Sequence, residues 1–327
     1  MKMYFRKCVF IILVMVSNNL LAQTNLTINK DTLADKVGWL WEISGNGLTQ
    51  KSYLFGTCHG DGYNYKKEEI FKFKGLADVF QKVDVIGFEA KRNLPLKDYK
   101  EIAITIYNWM KRPEPKYLMP RGTYYVNLYD NKTQFQEVHK YLSDNMSDIE
   151  YWKKKPYYWI PRISYSQYTK SQYGIKTVDD VLYDEALKTK ANIIALDDNK
   201  AQLTLVDILK NTQSDDKLPL KEQAKKLYQF IHAINSITTN SQQELTNLYL
   251  ENDYYKVESY FNCPVFQNSK EVNELLIRDR NQKWVPIIEK NISNHSCLFA
   301  FGLRHMMGED SIIKMLRAKG YTIKPVI

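Results

Sequence analysis

Cysteine is scarce in this chain, with four among 327 residues, and no two of them form a C-x-x-C pair. The chain therefore carries no zinc-ribbon signal. One of the four, Cys8, lies in an N-terminal segment that we expect to be removed. The other three, Cys58, Cys263 and Cys297, allow at most one intramolecular disulfide, and their spacing identifies no pair. The fold is not one built on disulfides.

Clusters of basic residues are also scarce. The formal net charge is +9, yet Lys153-Lys154-Lys155 is the only basic triplet, so the positive charge is spread along the chain. Such a distribution is typical of solvated surfaces and not of a phosphate-binding face. We expect no nucleic-acid partner.

The N-terminal apolar run, Cys8 to Val16, is too short to span a bilayer comfortably. Basic residues precede it and Ala22 follows it, which predicts a secretory signal peptide over residues 1–22. An uncleaved membrane anchor is the alternative. Cleavage removes three basic residues and no acidic ones, so the formal charge falls from +9 to +6. We expect an exported protein, periplasmic or extracellular, without a stable membrane anchor after cleavage.

Strand patterns lie toward both ends of the mature chain. Residues 39–44 and 52–56 predict a β-hairpin, because Gly45-Asn46-Gly47 between them suits positive φ angles. A helical stripe over residues 66–82 precedes an apolar strand over 84–88. Further strands are predicted at 193–196, 297–301 and 322–326. Helices are predicted at 179–190 and 311–320, and four more are expected to begin at residues 203, 221, 241 and 270.

The middle of the chain, about residues 97–292, is mainly helical in pattern. Its aromatic stretch, residues 151–173, contains Pro156 and Pro161, which interrupt any long helix. Ordinary helix packing is the favoured account of these aromatic residues, and a ligand groove is the alternative. The apolar fraction of 44% suffices for a large core. We therefore predict one α/β domain over residues 23–327, in which N- and C-terminal segments form a mixed central β-sheet flanked by helices, with a large helical insertion.

Two Gly-x-x-His tetrads, residues 56–59 and 302–305, each follow an apolar strand pattern. The 13 glycines and 5 histidines would produce about 0.2 such tetrads by chance. A glycine permits a tight backbone path at a strand end, and a histidine three residues later can project inward. His59 and His305 are therefore candidates for one shared site, although a single histidine after a strand is more often a structural residue.

Glu89 follows the predicted strand at 84–88, at an edge where ligands bind in open α/β sheets. Imidazoles together with a carboxylate bind divalent ions, and such an ion lowers the pKa of a bound water. His59, Glu89 and His305 thus predict hydrolysis of a carbonyl compound. Glu89 is either a ligand or the base. A surface carboxylate, or an ion-pair partner for Arg280, is the alternative for Glu89, and Cys58 is expected to be a packed thiol.

The strings at residues 40–44 and 52–59 resemble the opening of the TraB/GumN (PrgY) family, which is related to the Tiki metalloproteases. The resemblance extends over about residues 37 to 326. Further matching positions are Val178-Asp179, Leu196-Asp197, Gln202, Arg280-Asn281 with Trp284, Phe301 to His305, Gly308, Gly320-Tyr321 and Ile323.

The resemblance implies an α/β fold in which His59, Glu89 and His305 hold a divalent ion such as manganese, cobalt or zinc. It also implies that Arg280 contacts the substrate or a developing oxyanion. An ion pair with Asp279 or Glu274 on its own helix is the alternative for Arg280.

Three positions depart from the family pattern. Cys58 stands where an aliphatic residue is usual, Arg304 replaces a small residue, and Asp197 occupies the position of a glutamate. None of these departures removes an expected metal ligand. Arg304 is the one that would restrict an open site.

We therefore expect an exported, metal-dependent hydrolase resembling metallopeptidases, with a peptide or protein as its substrate. A non-catalytic protein that binds a peptide or a haem-like ligand is one alternative, motivated by the aromatic middle. The other is a metal-free esterase in which His59 acts as a base with Glu89, as in the distantly similar erythromycin esterases. The sequence carries no signal for an oligomeric state.

Overall fold

The computed structural model describes residues 37–326 except 59–61, 93, 112–114, 147–149, 172–173, 199–216, 237–238 and 263–272. Its centre is a six-stranded β-sheet with helices around it, as predicted for an α/β fold. The strands are β1 Leu40–Gly45, β2 Ser52–Thr57, β3 Val85–Phe88, β4 Asn192–Ala195, β5 Cys297–Gly302 and β6 Tyr321–Pro325. The helices are α1 Lys67–Ile70, α2 Leu76–Lys82, α3 Leu96–Lys111, α4 Lys132–Met146, α5 Ile160–Ser171, α6 Val178–Ala186, α7 Leu220–Ser236, α8 Thr239–Leu250, α9 Tyr254–Asn262, α10 Asp279–Ile292 and α11 Ile312–Ala318.

The sheet is mixed, with strand order β4-β3-β5-β2-β1-β6. The four strands β4, β3, β5 and β2 are parallel, whereas β1 runs antiparallel to both β2 and β6. Only β4 comes from the helical middle, and the other strands come from the two ends of the chain as predicted. The parallel strands all finish at one side of the sheet, at Thr57, Phe88, Ala195 and Gly302, and we call this side the carboxyl edge.

The hairpin between β1 and β2 is confirmed. Gly45, Asn46 and Gly47 have φ angles of 77°, 48° and 78°, and the backbone N–H of Leu48 donates to the carbonyl of Gly45 at 3.0 Å. Glycine and asparagine tolerate this left-handed region, so the turn residues match the turn that they form.

The helix predicted over residues 66–82 is wrong in one respect, because the structure divides it into α1 and α2. Gly75 precedes α2 with a φ of +79°, a conformation that ends a regular helix. A β-carbon at this position would lie 3.0 Å from Val326. The predicted apolar stripe is nevertheless buried, including Ile70 and Phe80.

Other helix boundaries also differ from prediction. α6 ends at Ala186 and not at Lys190, and the helices expected from residues 221 and 241 begin at Leu220 and Thr239. The helix expected from residue 270 is described from Asn273 and continues as the π-helical segment Glu274–Arg278, which leads into α10. The helix expected from residue 203, the predicted signal peptide and Cys263 lie outside the described residues.

The helical middle has a hydrophobic core of its own, in which α4 packs near α7. Arg162 lies buried in it, donating to the carbonyls of Trp109 and Tyr158, with its guanidinium 3.4 Å from the centre of the Tyr158 ring. These contacts agree with ordinary helix packing. The aromatic members of this core are Tyr117, Tyr125, Tyr141, Tyr151, Tyr157, Tyr158 and Trp159.

None of the helices in the described part of the chain is long and apolar enough to cross a membrane.

Candidate functional site

Three side chains that follow the parallel strands meet at the carboxyl edge. Glu89 directly follows β3, Asp197 follows β4 by two residues, and His305 lies in a 3-10 turn, Leu303–Met306, that begins where β5 ends. The backbone N–H of Asp197 donates to the carbonyl of Glu89 at 2.7 Å, which extends the pairing of β3 and β4 beyond the strands. The sheet thus brings together residues that are far apart in the chain.

His59, the other predicted histidine, lies outside the described residues. Its neighbour Cys58 is described as the buried residue that follows β2. A packed thiol at this position agrees with the prediction. Cys297, at the start of β5, is also buried, and burial raises the pKa of its thiol to about 12.

The glycine of the first tetrad serves close packing and not the tight backbone path that the sequence predicted. A β-carbon on Gly56 would lie 2.9 Å from the Met306 sulfur and 3.2 Å from the Leu303 β-carbon. Contacts below about 3.4 Å force such neighbours to move. A glycine is therefore needed so that the turn carrying His305 can pack directly against β2. In the second tetrad, Gly302 has a φ of −51° and its N–H donates to Glu89 Oε1 at 2.6 Å.

Arg280, in the first turn of α10, joins the three side chains. Its Nη2 donates to Glu89 Oε2 at 2.7 Å and to Asp197 Oδ2 at 2.8 Å. Its Nη1 lies 3.0 Å from His305 Nε2. Burial lowers the pKa of Arg280, but attraction to Glu89 and Asp197 outweighs burial and raises it overall. The guanidinium is therefore a permanent cation at the centre of the site.

The ion pairs around α10 distinguish between the two alternatives for Arg280 and Glu89. The acidic residues near Arg280 in sequence, Glu274 and Asp279, pair with Arg278 at 2.8 and 3.0 Å. Arg280 pairs instead with Glu89, 191 positions away. The ion pair within the helix is therefore not the one that Arg280 forms, and Glu89 is a partner of Arg280 and not a surface carboxylate.

Asn281 determines which nitrogen of His305 carries a proton. The Asn281 Nδ2 donates to the carbonyls of Asp310 at 2.6 Å and His305 at 3.3 Å, so its Oδ1 faces His305 Nδ1, at 2.6 Å. An amide oxygen only accepts, which requires Nδ1 to be the donor. The lone pair of Nε2 therefore points toward Arg280, with Glu89 Oε1 3.9 Å away.

Asp197 and Trp284 complete the surroundings of Arg280. Trp284 Nε1 donates to Asp197 Oδ1 at 2.6 Å, and the Arg280 guanidinium lies 4.3 Å from the centre of the Trp284 ring. Burial raises the pKa of Asp197, and Glu89 adds to this increase, although Arg280 acts in the opposite direction. The same Trp284 ring lies 4.4 Å from the His305 ring.

Sequence reasoning missed Asp197 and Asn281 as members of the site. Asp197 carried a usable signal, because it follows a predicted strand just as Glu89 does. Asn281 carried only its place in the family-like Arg280-Asn281 string, since the role of a buried amide in a helix becomes visible only when its partners are known. Arg304 contacts Asn273 Oδ1 at 3.2 Å and lies over the Phe261 ring.

The donor atoms at the carboxyl edge bear on whether a divalent ion can bind there. Within the described ranges, no group of three His, Cys, Asp or Glu side chains is arranged to hold a metal. Glu89 and His305 are nevertheless two of the three predicted ligands, and the third falls in the gap at 59–61. A histidine whose Nδ1–H is held by an amide oxygen is a typical metal ligand. The formal charges of Glu89, Asp197 and Arg280 leave one net negative charge, which also suits a cation.

Comparison with curated proteins and with solved structures finds no match. A comparison with protein families does, since the TraB/PrgY/gumN family model matches residues 39–325, nearly the whole described chain. The matched range includes both tetrads, Glu89 and Arg280. On this evidence the chain belongs to the TraB/PrgY/gumN family.

Proposed function

We propose that this protein is an exported, metal-dependent hydrolase that acts on peptides at the carboxyl edge of its sheet. The observation that carries the proposal is the buried pair of His305 Nε2 and the Glu89 carboxylate, 3.9 Å apart. A lone pair and a carboxylate that converge in this way are suited to binding a cation or moving a proton. Export is proposed from the signal-peptide pattern of residues 1–22.

The ligands in this proposal are His59, Glu89 and His305, and the ion is manganese, cobalt or zinc. When bound, such an ion lowers the pKa of a water so that hydroxide is available near neutral pH. His305 contributes Nε2, because Asn281 occupies Nδ1. Glu89 serves as a ligand or as the group that accepts the proton. Arg280 supplies positive charge where negative charge develops.

A second candidate is metal-free hydrolysis, and one contact favours it. Arg280 Nη1 donates to the lone pair of His305 Nε2, so the Arg280 guanidinium already provides a cation at the site. In this case Glu89 and the histidines act as acid and base without an ion. The ligand-binding alternative has less support, because the aromatic residues that form the core of the middle are buried against each other.

The test is a metal analysis of protein purified without chelators, together with a peptide-library digest in Mn²⁺, Co²⁺ or Zn²⁺. We expect about one divalent ion per chain and cleavage of peptides. His59→Ala and His305→Ala should each abolish both properties. His232→Ala is the matched control, because that side chain is 54% exposed on α7.

Three results would contradict the proposal in different ways. Cleavage that persists in a chelator favours the metal-free candidate. Peptide affinity without turnover favours a binding protein. Absence of both metal and cleavage under all three ions excludes the metal-dependent hydrolase.

A further inference from the structure

Arg280 occupies the atoms that the proposed function assigns to a metal ion. Its Nη1 faces His305 Nε2 at 3.0 Å, and its Nη2 donates to Glu89 Oε2 at 2.7 Å. An unprotonated imidazole nitrogen has a single lone pair, which cannot accept a hydrogen bond and coordinate a cation together. The contacts seen here and coordination by His305 are therefore mutually exclusive.

We propose that Arg280 is an internal cation that competes with the divalent ion for His305 Nε2 and Glu89, and that Asp197 is the anchor that holds Arg280 when it is displaced. This inference rests on the ligand set of the proposed function. It adds a role for two residues, since Arg280 then sets the metal affinity and Asp197 positions Arg280.

Asp197 has the contacts that an anchor requires. Its Oδ2 already accepts from Arg280 Nη2 at 2.8 Å, and its Oδ1 is held by Trp284 Nε1 at 2.6 Å. The Trp284 ring lies 4.3 Å from the guanidinium, and an aromatic face is favourable for a buried cation. Arg280 can thus give up Glu89 and His305 and keep both Asp197 and Trp284.

Charge makes the displacement costly but feasible. Burying a guanidinium without a carboxylate partner costs much free energy. If Arg280 were paired with a single carboxylate, an ion could therefore displace it only with difficulty. Here two carboxylates, Glu89 and Asp197, share Nη2. The guanidinium therefore remains ion-paired after an ion has taken over Glu89.

The experiment measures Co²⁺ and Mn²⁺ affinity by calorimetry on the whole purified protein. Arg280→Met removes the competitor, so the dissociation constant should fall by about tenfold or more. Asp197→Asn removes the anchor and leaves both ligands intact, so the dissociation constant should rise by about tenfold. Arg278→Met is the matched control, because Arg278 lies two residues away and pairs with Glu274 and Asp279. It should leave the affinity unchanged.

Loss of structure would weaken metal binding in both variants, whereas competition predicts tighter binding in Arg280→Met and weaker binding in Asp197→Asn. If the wild type binds metal and Arg280→Met does not bind it more tightly, the competition is overturned while the proposed function stands. If only Arg280→Met binds metal, the competition is supported and the metal-dependent activity of the native protein fails. If neither binds, both fail.

Arg280→Met leaves Glu89 and Asp197 without their cation and is the variant at risk of misfolding. In that event Asp197→Asn decides. Weaker metal binding than in the wild type supports the inference, and unchanged or tighter binding overturns it. If Arg280→Met folds and binds the metal more tightly while Asp197→Asn binds it as the wild type does, the result supports the competition by Arg280 and excludes the anchor role of Asp197.

Discussion

At the scale of single residues, Asn281 has the largest influence on the chemistry of the site. It is fully buried, and its amide satisfies the carbonyls of Asp310 and His305 while its oxygen accepts from His305 Nδ1. A buried amide with fixed partners cannot turn over without leaving donors unsatisfied. The protonation pattern of the imidazole is therefore set by a residue outside the reacting atoms.

The first prediction concerns this protonation pattern. Long-range nitrogen–proton NMR should show His305 with its proton on Nδ1. The exposed His295 should instead show its proton averaged over the two ring nitrogens. In Asn281→Ala the His305 pattern should change toward a mixture, with a stability loss of about 1–3 kcal/mol. A proton found on Nε2 of wild-type His305 would contradict the geometry described above.

Gly56 is the second residue whose replacement is informative. Gly56→Ala places a β-carbon 2.9 Å from the Met306 sulfur and 3.2 Å from the Leu303 β-carbon. Overpacking of this kind costs about 1–3 kcal/mol, and we expect urea unfolding to show it. In a Met306→Ala background, Gly56→Ala should cost less than it does in the wild type but not nothing, because the Leu303 contact remains. An undiminished cost in that background would mean that the Met306 side chain does not pack against Gly56 as described.

At the scale of elements, α6 shows how a local sequence pattern supports the site. Thr177 and Asp180 form a reciprocal capping box at its start, with each side chain accepting from the backbone N–H of the other residue. Asp180 also pairs with Arg92, in the loop that follows Glu89. The start of α6 thereby fixes the position of the loop at Arg92, which lies next to the carboxyl edge.

The third prediction tests the cap itself. Thr177→Ala should lower the free energy of unfolding by about 1 kcal/mol, because the N–H of Asp180 loses its acceptor. Thr177→Ser keeps the oxygen and should lose much less. Chemical denaturation followed by circular dichroism measures both, and equal losses in the two variants would show that the hydroxyl does not cap the helix.

The fourth prediction concerns pH. Burial raises the pKa of Asp180, but Arg92 and the hydrogen bonds from Thr177 outweigh burial and hold it below its ordinary value of 3.8. Because the pKa of Asp180 is lower in the folded state, its carboxylate stabilises the fold at pH values above its ordinary pKa. This contribution is lost as the pH falls through the lowered pKa. Asp180→Asn should therefore weaken the fall in stability under acid.

The control for this pH series is Asp184→Asn, since Asp184 is an exposed carboxylate of the same helix, 47% exposed. Unfolding is measured from neutral to strongly acidic pH in both variants and in the wild type. An acid response of Asp180→Asn identical to that of the wild type would contradict the assigned ion pair.

At the scale of the whole molecule, the described part of the chain contains two hydrophobic cores. One surrounds the sheet and contains Trp284 and Phe301 beside the site. The other lies in the helical middle and contains the aromatic side chains around Arg162. The polar contacts of the site come from the sheet edge and α10, and the second core supplies none of those described above.

The fifth prediction follows from this division. Leu142→Ala, in the second core, should cost about 2–5 kcal/mol of stability, because the side chain is fully buried. The metal affinity of the folded protein should stay unchanged. Leu118→Ala is the control, since Leu118 is 44% exposed. A loss of metal affinity in Leu142→Ala would show that the second core shapes the site after all.

The local features of this fold were predictable because they depend on neighbouring residues. The turn at 45–47, the strands of the sheet and the last helix were all identified from patterns of glycine and apolar residues, although α11 begins at Ile312 and not at Ser311. The break between α1 and α2 was missed, because Gly75 is tolerated in a helical pattern until its φ angle is known.

The sequence by itself determined the fold class, the strands that the site residues follow, and the family. It did so because hydrophobic period and turn residues act over a few positions. Only the tertiary structure decided that Arg280 pairs with Glu89 and Asp197 and not with its own helix, and that Asn281 orients His305. Those contacts join residues that are distant in the chain. Burial at the carboxyl edge makes their pairing obligatory, and burial exists only once the sheet has formed.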